Sequence, residues 1–168
     1  MRGVIVILGS VLISVAALAQ DTEAVFNKAE SLFANGNYQE AEKIYTQVIA
    51  ADAENMNAYL RRGFCRSVLK KYDEAVADYT TVIDKHPNHP FAYLSRGSAF
   101  NKKEDWKSAL VDFDKVLSLD PENQEAYNNR GWAKNGMGLL KEACLDWKKS
   151  KKLGNQEAKI IMKNNNCK

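Results

Sequence analysis

The sequence predicts an all-α stack of repeated helix pairs, and three regularities carry that prediction. The first is a 34-residue period: Ala29, Gly63, Gly97 and Gly131 recur at that step, and so do Ala41, Ala75, Ala109 and Ala143. The second is that large residues keep the same step. Tyr45, Tyr79, Phe113 and Trp147 form one column and Tyr38, Tyr72, Trp106 and Leu140 another, joined by Tyr59, Tyr93 and Tyr127 and by Val48, Val82 and Val116. The third is punctuation: Pro87 and Pro121 close two repeats, and Asn35-Gly36-Asn37 and Asn135-Gly136-Met137-Gly138 break the chain between their halves. A fixed period of this length marks supersecondary units that stack because none buries its apolar face alone.

Taken in order, residues 1–19 read as a leader rather than as fold. Arg2 supplies the positive end, Val4 to Ala16 is an apolar run, and Ala17-Leu18-Ala19 fits a small-residue cleavage site before Gln20. The run is shorter than the roughly 20 residues a membrane-spanning helix needs. The expected product is an exported chain, periplasmic or secreted, with no membrane span after cleavage. Residues 20–168 are expected as one domain with repeats at about 22–55, 56–89, 90–123 and 124–157.

Each repeat is read as a helix A followed by a helix B; in the second these are Met56–Leu69 and Tyr72–Lys85. A mid-helix glycine costs about 1 kcal/mol against alanine, so its recurrence at one place implies close packing. The alanine column of helix B is its natural opposite, with the aromatic residues filling the space beside it. Pro90 suits the first turn of a helix. Gly154 and Asn155 end the last B helix and cap a short one at about 156–163, whose Ala158, Ile161 and Met162 share an inward face. A stack needs such a cap, because its last repeat has no neighbour.

Comparing repeats isolates a polar pairing. Arg62, Arg96 and Arg130 precede the glycines of repeats 2 to 4, and Asp78, Asp112 and Asp146 precede the B-helix aromatic residues of the same repeats. Repeat 1 lacks both, with Lys28 and Ile44 in those places. The joint presence and absence predicts an ion pair inside each of the three repeats; the alternative is an arginine ladder facing a ligand carboxylate.

The cysteines give a second inference. Helix B rises about 12 Å from Cys144 to Lys152 at 1.5 Å per residue, the chain turns at Gly154, and the short helix descends again. Cys167 then lands near Cys144, either as a disulfide or as a free thiol on a frayed tail. Cys65 reads as a small buried residue. His86 and His89 bracket a proline loop without further ligands, so no metal or cofactor is expected. No nucleophile–base set or phosphate-binding loop is present, and no catalytic residue is assigned.

Charge excludes another class. The formal net charge is only +3, far from the basic patch of a nucleic-acid binder. It is unevenly spread: Gln20 to Leu60 holds 2 basic and 7 acidic residues, whereas Lys141 to Lys168 holds 8 lysines against 3 acidic residues. An acidic head and a basic tail permit a homo-oligomer that stacks head to tail.

The small residue, alanine and aromatic at 34-residue spacing resemble the tetratricopeptide repeat (TPR) family over residues 22–157. The resemblance implies a right-handed superhelical solenoid of four helix pairs plus the C-terminal capping helix. It implies also a concave groove, lined by A helices, that holds a peptide or helix of another protein. Carrying the groove pattern across gives Glu23, Phe26, Glu30 and Phe33, then Asn57, Leu60, Phe64 and Ser67. The third repeat gives Phe91, Leu94, Ser98 and Asn101, and the fourth Glu125, Asn128, Trp132 and Asn135. Phe26, Phe33, Leu60, Phe64, Phe91, Leu94 and Trp132 would form an apolar strip, and Asn57, Asn101, Asn128 and Asn135 could bond a peptide backbone. In the alternative, several of these aromatic residues turn inward. The lysines and asparagines by which some family members clamp a terminal carboxylate are replaced here by Phe26, Glu30, Arg61, Phe91 and Ser95. The end of the chain, from Ala143 to Cys167, is similar to small exported bacterial TPR proteins.

Overall fold

The computed structural model describes residues 22–167, so the expected leader at 1–19 lies outside the described residues. Every regular element described is an α-helix. The chain divides into two compact units, one ending at Leu69 and the other starting at Lys70.

The first unit contains α1 (residues 22–34), α2 (Tyr38–Ala51) and α3 (Met56–Val68). Ala29, Ala41, Tyr45, Val48, Ala58 and Cys65 form its buried centre, with Phe26 and Phe33 half-buried against it. Three alanines in that centre let the backbones approach, and one large ring, Tyr45, fills the space they leave. Burial and the adjacent Glu42 push the Cys65 thiol up to about 12, which keeps it a neutral apolar filler.

The second unit contains α4 (Tyr72–Lys85), α5 (Pro90–Lys102), α6 (Trp106–Leu119), α7 (Gln124–Gly136), α8 (Leu140–Lys152) and α9 (Gln156–Asn164). Each helix packs on the next. The capping helix is thus one residue longer than its sequence suggests. Ala158 and Ile161 of α9 join Ala143 and Trp147 of α8 in a buried cluster, with Met162 against it. Cys144 and Cys167 are joined by a disulfide with their Cα atoms 5.4 Å apart.

Helix starts follow local chemistry. Asn55, Asn123 and Asn155 accept the backbone N–H of the residue three ahead, at 3.0, 2.9 and 3.1 Å. His89 does the same through Nδ1 at 3.2 Å, so this histidine is a helix cap ahead of Pro90. The A-to-B turns share one left-handed residue: Gly36, Lys70, Glu104 and Gly138 have φ of 76°, 61°, 60° and 80°. The repeat dictates the backbone there, and two of the four residues are not glycine.

The mid-helix glycines face rings. A Cβ on Gly97 would lie 2.8 Å from Cε1 of Phe113, and one on Gly131 would lie 2.5 Å from Nε1 of Trp147. The B-helix ring sits directly on the bare A-helix backbone rather than beside it. The alanine column lies in the same buried centres.

Candidate functional site

The arginine column is built into the frame. Arg96 donates from Nε and Nη2 to the two carboxylate oxygens of Asp112 at 2.9 and 2.8 Å. Arg130 does the same to Asp146 at 2.9 and 2.7 Å. The Asp112 hydrogen bonds hold the Arg96 guanidinium above its already high ordinary range. Each arginine also reaches back to the preceding B helix: Arg62 to Thr46 at 3.2 Å, Arg96 to Thr80 at 3.0 Å and Arg130 to Asp114 at 2.6 Å. Thr46, Thr80 and Asp114 lie 34 residues apart, a polar column that sequence comparison could have found. The guanidinium groups of Arg62, Arg96 and Arg130 lie 5.4, 5.6 and 5.3 Å from the ring centres of Tyr59, Tyr93 and Tyr127. Arg62 belongs to the first unit, and Asp78 is buried in α4 of the second.

In the first unit the residues expected along a groove divide. Phe26 leans edge-on against Tyr45, with ring centres 5.8 Å apart. Phe33 is half-buried between Tyr38 at 5.6 Å and Phe64 at 5.2 Å. Phe64 stands on these two rings and remains 36% exposed. Asn57 is exposed and Leu60 half-buried. Glu30, also in the family pattern, accepts from the Tyr45 hydroxyl and pairs with Arg61 at 3.0 Å.

In the second unit the same pattern needs one correction. Leu94, expected as a groove wall, is only 8% exposed and packs in the core with Ala109, Phe113 and Val116. It lies three residues after Phe91, which remains 49% exposed. Those three positions carry Leu94 round the helix into the interface with α6, where burial favours its isobutyl group.

Asn101, Asn128, Trp132 and Asn135 come together around a cavity of about 570 Å³. Ser98, Lys102, Trp106, Asn129, Gly136 and Glu157 complete its lining. α5 supplies the first asparagine, α7 the other three, and the capping helix the carboxylate. Trp132 meets the buried Trp147 edge-on at 5.4 Å and stays 39% exposed. Trp106 closes one side against bare backbone: a Cβ on Gly136 would come within 2.5 Å of its ring.

The lining is fixed by hydrogen bonds. Asn101 Nδ2 donates to the Asn129 carbonyl at 2.8 Å, and Asn129 Nδ2 donates to Ser98 Oγ at 3.2 Å. Asn128 Nδ2 donates to Glu157 at 3.2 Å, while the main-chain carbonyl of Asn128 accepts from Trp147 Nε1 at 3.1 Å. Asn128 is therefore held at 3% exposure, further inside than a groove residue was expected to be.

Sequence reasoning missed Trp106, Asn129 and Glu157. Trp106 belongs to an aromatic column that reads as core, Asn129 matches no periodic asparagine, and Glu157 lies beyond the fourth A helix, where the family pattern stops. Among the described residues, no helix is long and apolar enough to cross a membrane, and no three His, Cys, Asp or Glu side chains are grouped to hold a metal ion.

Comparison with known proteins agrees with this frame. MamA from Desulfovibrio magneticus RS-1 superposes with a TM-score of 0.75 at 23% identity, over 79% of this chain and 75% of that one. YrrB, described as a TPR protein with an unusual peptide-binding site, superposes with a TM-score of 0.77 at 17% identity, over 92% and 88%. A tetratricopeptide repeat protein from Parabacteroides merdae gives 0.74 at 21% identity, over 84% and 57%. At these identities the likeness is one of fold. No curated protein is significantly similar in sequence. Two family models described as tetratricopeptide repeat match residues 32–95 and 68–123, which together exceed half of the 168 residues. The chain belongs to the tetratricopeptide repeat family.

Proposed function

We propose that this protein is a non-catalytic adaptor that grips an apolar peptide or helix of a partner protein. The observation that carries the reading is the half-exposed Trp132, held by Trp147 in the lining of the asparagine-rich cavity. An aromatic ring that is immobilised yet uncovered loses little conformational freedom on binding, and such rings supply most of the energy at protein interfaces. Phe64, seated on Phe33 and Tyr38, offers a second anchor of the same kind. The description of YrrB as a peptide-binding TPR protein lends support by analogy. The rest of the framework is occupied with its own stability: the arginines are engaged by Asp112, Asp146 and the preceding helices.

The protein works outside the cytosol in this reading, in the periplasm or after secretion. Two observations support that location: the leader-like residues 1–19 and the Cys144–Cys167 disulfide, a bond that persists in oxidising compartments.

Photo-crosslinking in cells from position 64, with the exposed Lys107 as control, tests the function. A distinct protein captured from Phe64 and not from Lys107 is the expected result. Equal capture from both positions, or capture of the chain by itself alone, would replace the adaptor with a self-assembling solenoid.

A further inference from the structure

The hydrogen bonds that fix the cavity of the second unit also set its polarity. The Nδ2 groups of Asn101, Asn128 and Asn129 all donate to protein acceptors. The matching carbonyl oxygens of Asn101 and Asn128 are buried and accept nothing from the protein. Because each amide nitrogen is tied to a carbonyl, a carboxylate or a hydroxyl oxygen, the orientation of the amides is set, and the oxygens of Asn101 and Asn128 are left buried in the cavity wall without a donor. Asn128 is 97% buried, since its exposure is 3%, and it lines both this cavity and an adjoining recess of about 370 Å³. A buried acceptor left without a donor costs about 1–3 kcal/mol, so whatever fills the cavity is selected for hydrogen-bond donors.

The charges point the same way. Glu157 lines both spaces and Glu125 lines the recess. Against these two carboxylates stands one ammonium, Lys102, exposed at the end of α5. Beside the uncharged Ser98, Asn135 and Gly136, the wall carries two indoles: Trp132 at 39% exposure and Trp106, half-buried. Acceptors, carboxylates and an indole face make a site for a planar cation.

We infer that this cavity receives the guanidinium group of an arginine side chain carried by the partner segment; this rests on the adaptor reading above. A guanidinium presents five N–H donors and no acceptor, which matches the unpartnered oxygens of Asn101 and Asn128 and the Glu157 carboxylate. It is planar and weakly hydrated, and it stacks on tryptophan; an ammonium does neither as well. A peptide carbonyl would bring lone pairs against the carbonyl oxygens of Asn101 and Asn128, and a sugar hydroxyl, although it can donate, carries no charge to meet Glu157. At about 570 Å³ the space is of ligand-site size. The asparagines here accordingly read a side chain rather than a peptide backbone.

The test uses the whole chain, labelled with nitrogen-15, and four small probes: N-acetyl-arginine methylamide, its lysine and citrulline counterparts, and glucose. The arginine probe should shift the side-chain amide signals of Asn101 and Asn128 saturably and change Trp132 fluorescence, with a Kd in the millimolar range. Lysine should bind several-fold more weakly, and citrulline and glucose about tenfold or more. Glu157→Gln, an isosteric change at an exposed position, should weaken arginine at least about threefold without altering the thermal transition. Citrulline or glucose binding as tightly as arginine would overturn the inference. So would the absence of any saturable shift. The adaptor reading fails separately. A partner captured from Phe64 that binds equally well after all its arginines are replaced would sink this inference alone. Arginine-probe binding with no partner ever captured would support the cavity and sink the adaptor.

Discussion

Arg96 forks onto Asp112 through Nε and Nη2 at 2.9 and 2.8 Å, binding α5 to α6 through a carboxylate that is almost wholly buried. Removing one partner strands the other. Arg96→Ala should therefore destabilise the protein by about 3 kcal/mol, and Asp112→Ala by a similar amount. The double variant should cost clearly less than the two single changes together, because neither charge is then left unpaired. Urea unfolding of the four-member cycle measures this; additive losses would remove the pair from the account.

Gly131 and Gly97 test the seating of the B-helix rings. Alanine at 131 places a methyl group 2.5 Å from Trp147 Nε1, and alanine at 97 places one 2.8 Å from Phe113. Overpacking against a fully buried ring costs about 1–3 kcal/mol, outweighing the roughly 1 kcal/mol that alanine gains as a helix former. Both variants should melt lower than the parent. Higher melting of either would show that the rings can shift.

The left-handed turn residues predict a gain. Glu104 sits at φ 60° where its equivalents Gly36 and Gly138 are glycine. A non-glycine residue pays about 1–2 kcal/mol in that region. Glu104→Gly should stabilise by about 0.5 kcal/mol or more once the added freedom of the unfolded chain is counted, whereas Gly138→Ala should destabilise. Thermal melts of the two variants give the signs.

The thiols give a chemical check. Unfolded but unreduced protein should titrate one thiol, Cys65, because Cys144 and Cys167 are joined; three would contradict the structure. In the native state, Cys65 is buried with its thiol pushed up to about 12. Its alkylation at pH 8 should track unfolding rather than thiolate concentration. Replacing Cys167 with serine should cost about 3 kcal/mol by the loop-entropy estimate, and the amides of α9 should lose their hydrogen-exchange protection first.

Much of the frame could be read from spacing. A 34-residue period puts Ala41, Tyr45 and Val48 on one buried face, and the same arithmetic leads to Arg96 with Asp112 and Arg130 with Asp146. The capping helix announces itself through Gly154 and Asn155. The cavity was only half legible. Asn101, Asn128, Trp132 and Asn135 follow from the family pattern, but that pattern treats a helix face as uniform. Leu94 shares a column with Phe26, Leu60 and Asn128, and only packing decides that leucine turns into the core while asparagine is held by Glu157 and Trp147. Trp106 and Glu157 enter from a B helix and from the cap, outside any column that names groove residues. The polarity of the cavity depends on which oxygen each amide nitrogen has found, and spacing carries no record of that.

The central claim is that an immobilised, uncovered ring in each unit, Phe64 in the first and Trp132 in the second, anchors a partner. The most direct measurement is the affinity of the partner captured from Phe64 for the parent protein and for Phe64→Ala and Trp132→Ala, with Lys107→Ala as control. The account predicts that each aromatic truncation weakens binding at least about tenfold, as expected for anchor residues, while Lys107→Ala changes nothing and all four proteins give the same helical spectrum. Equal affinities across the set, with the fold intact, would contradict it.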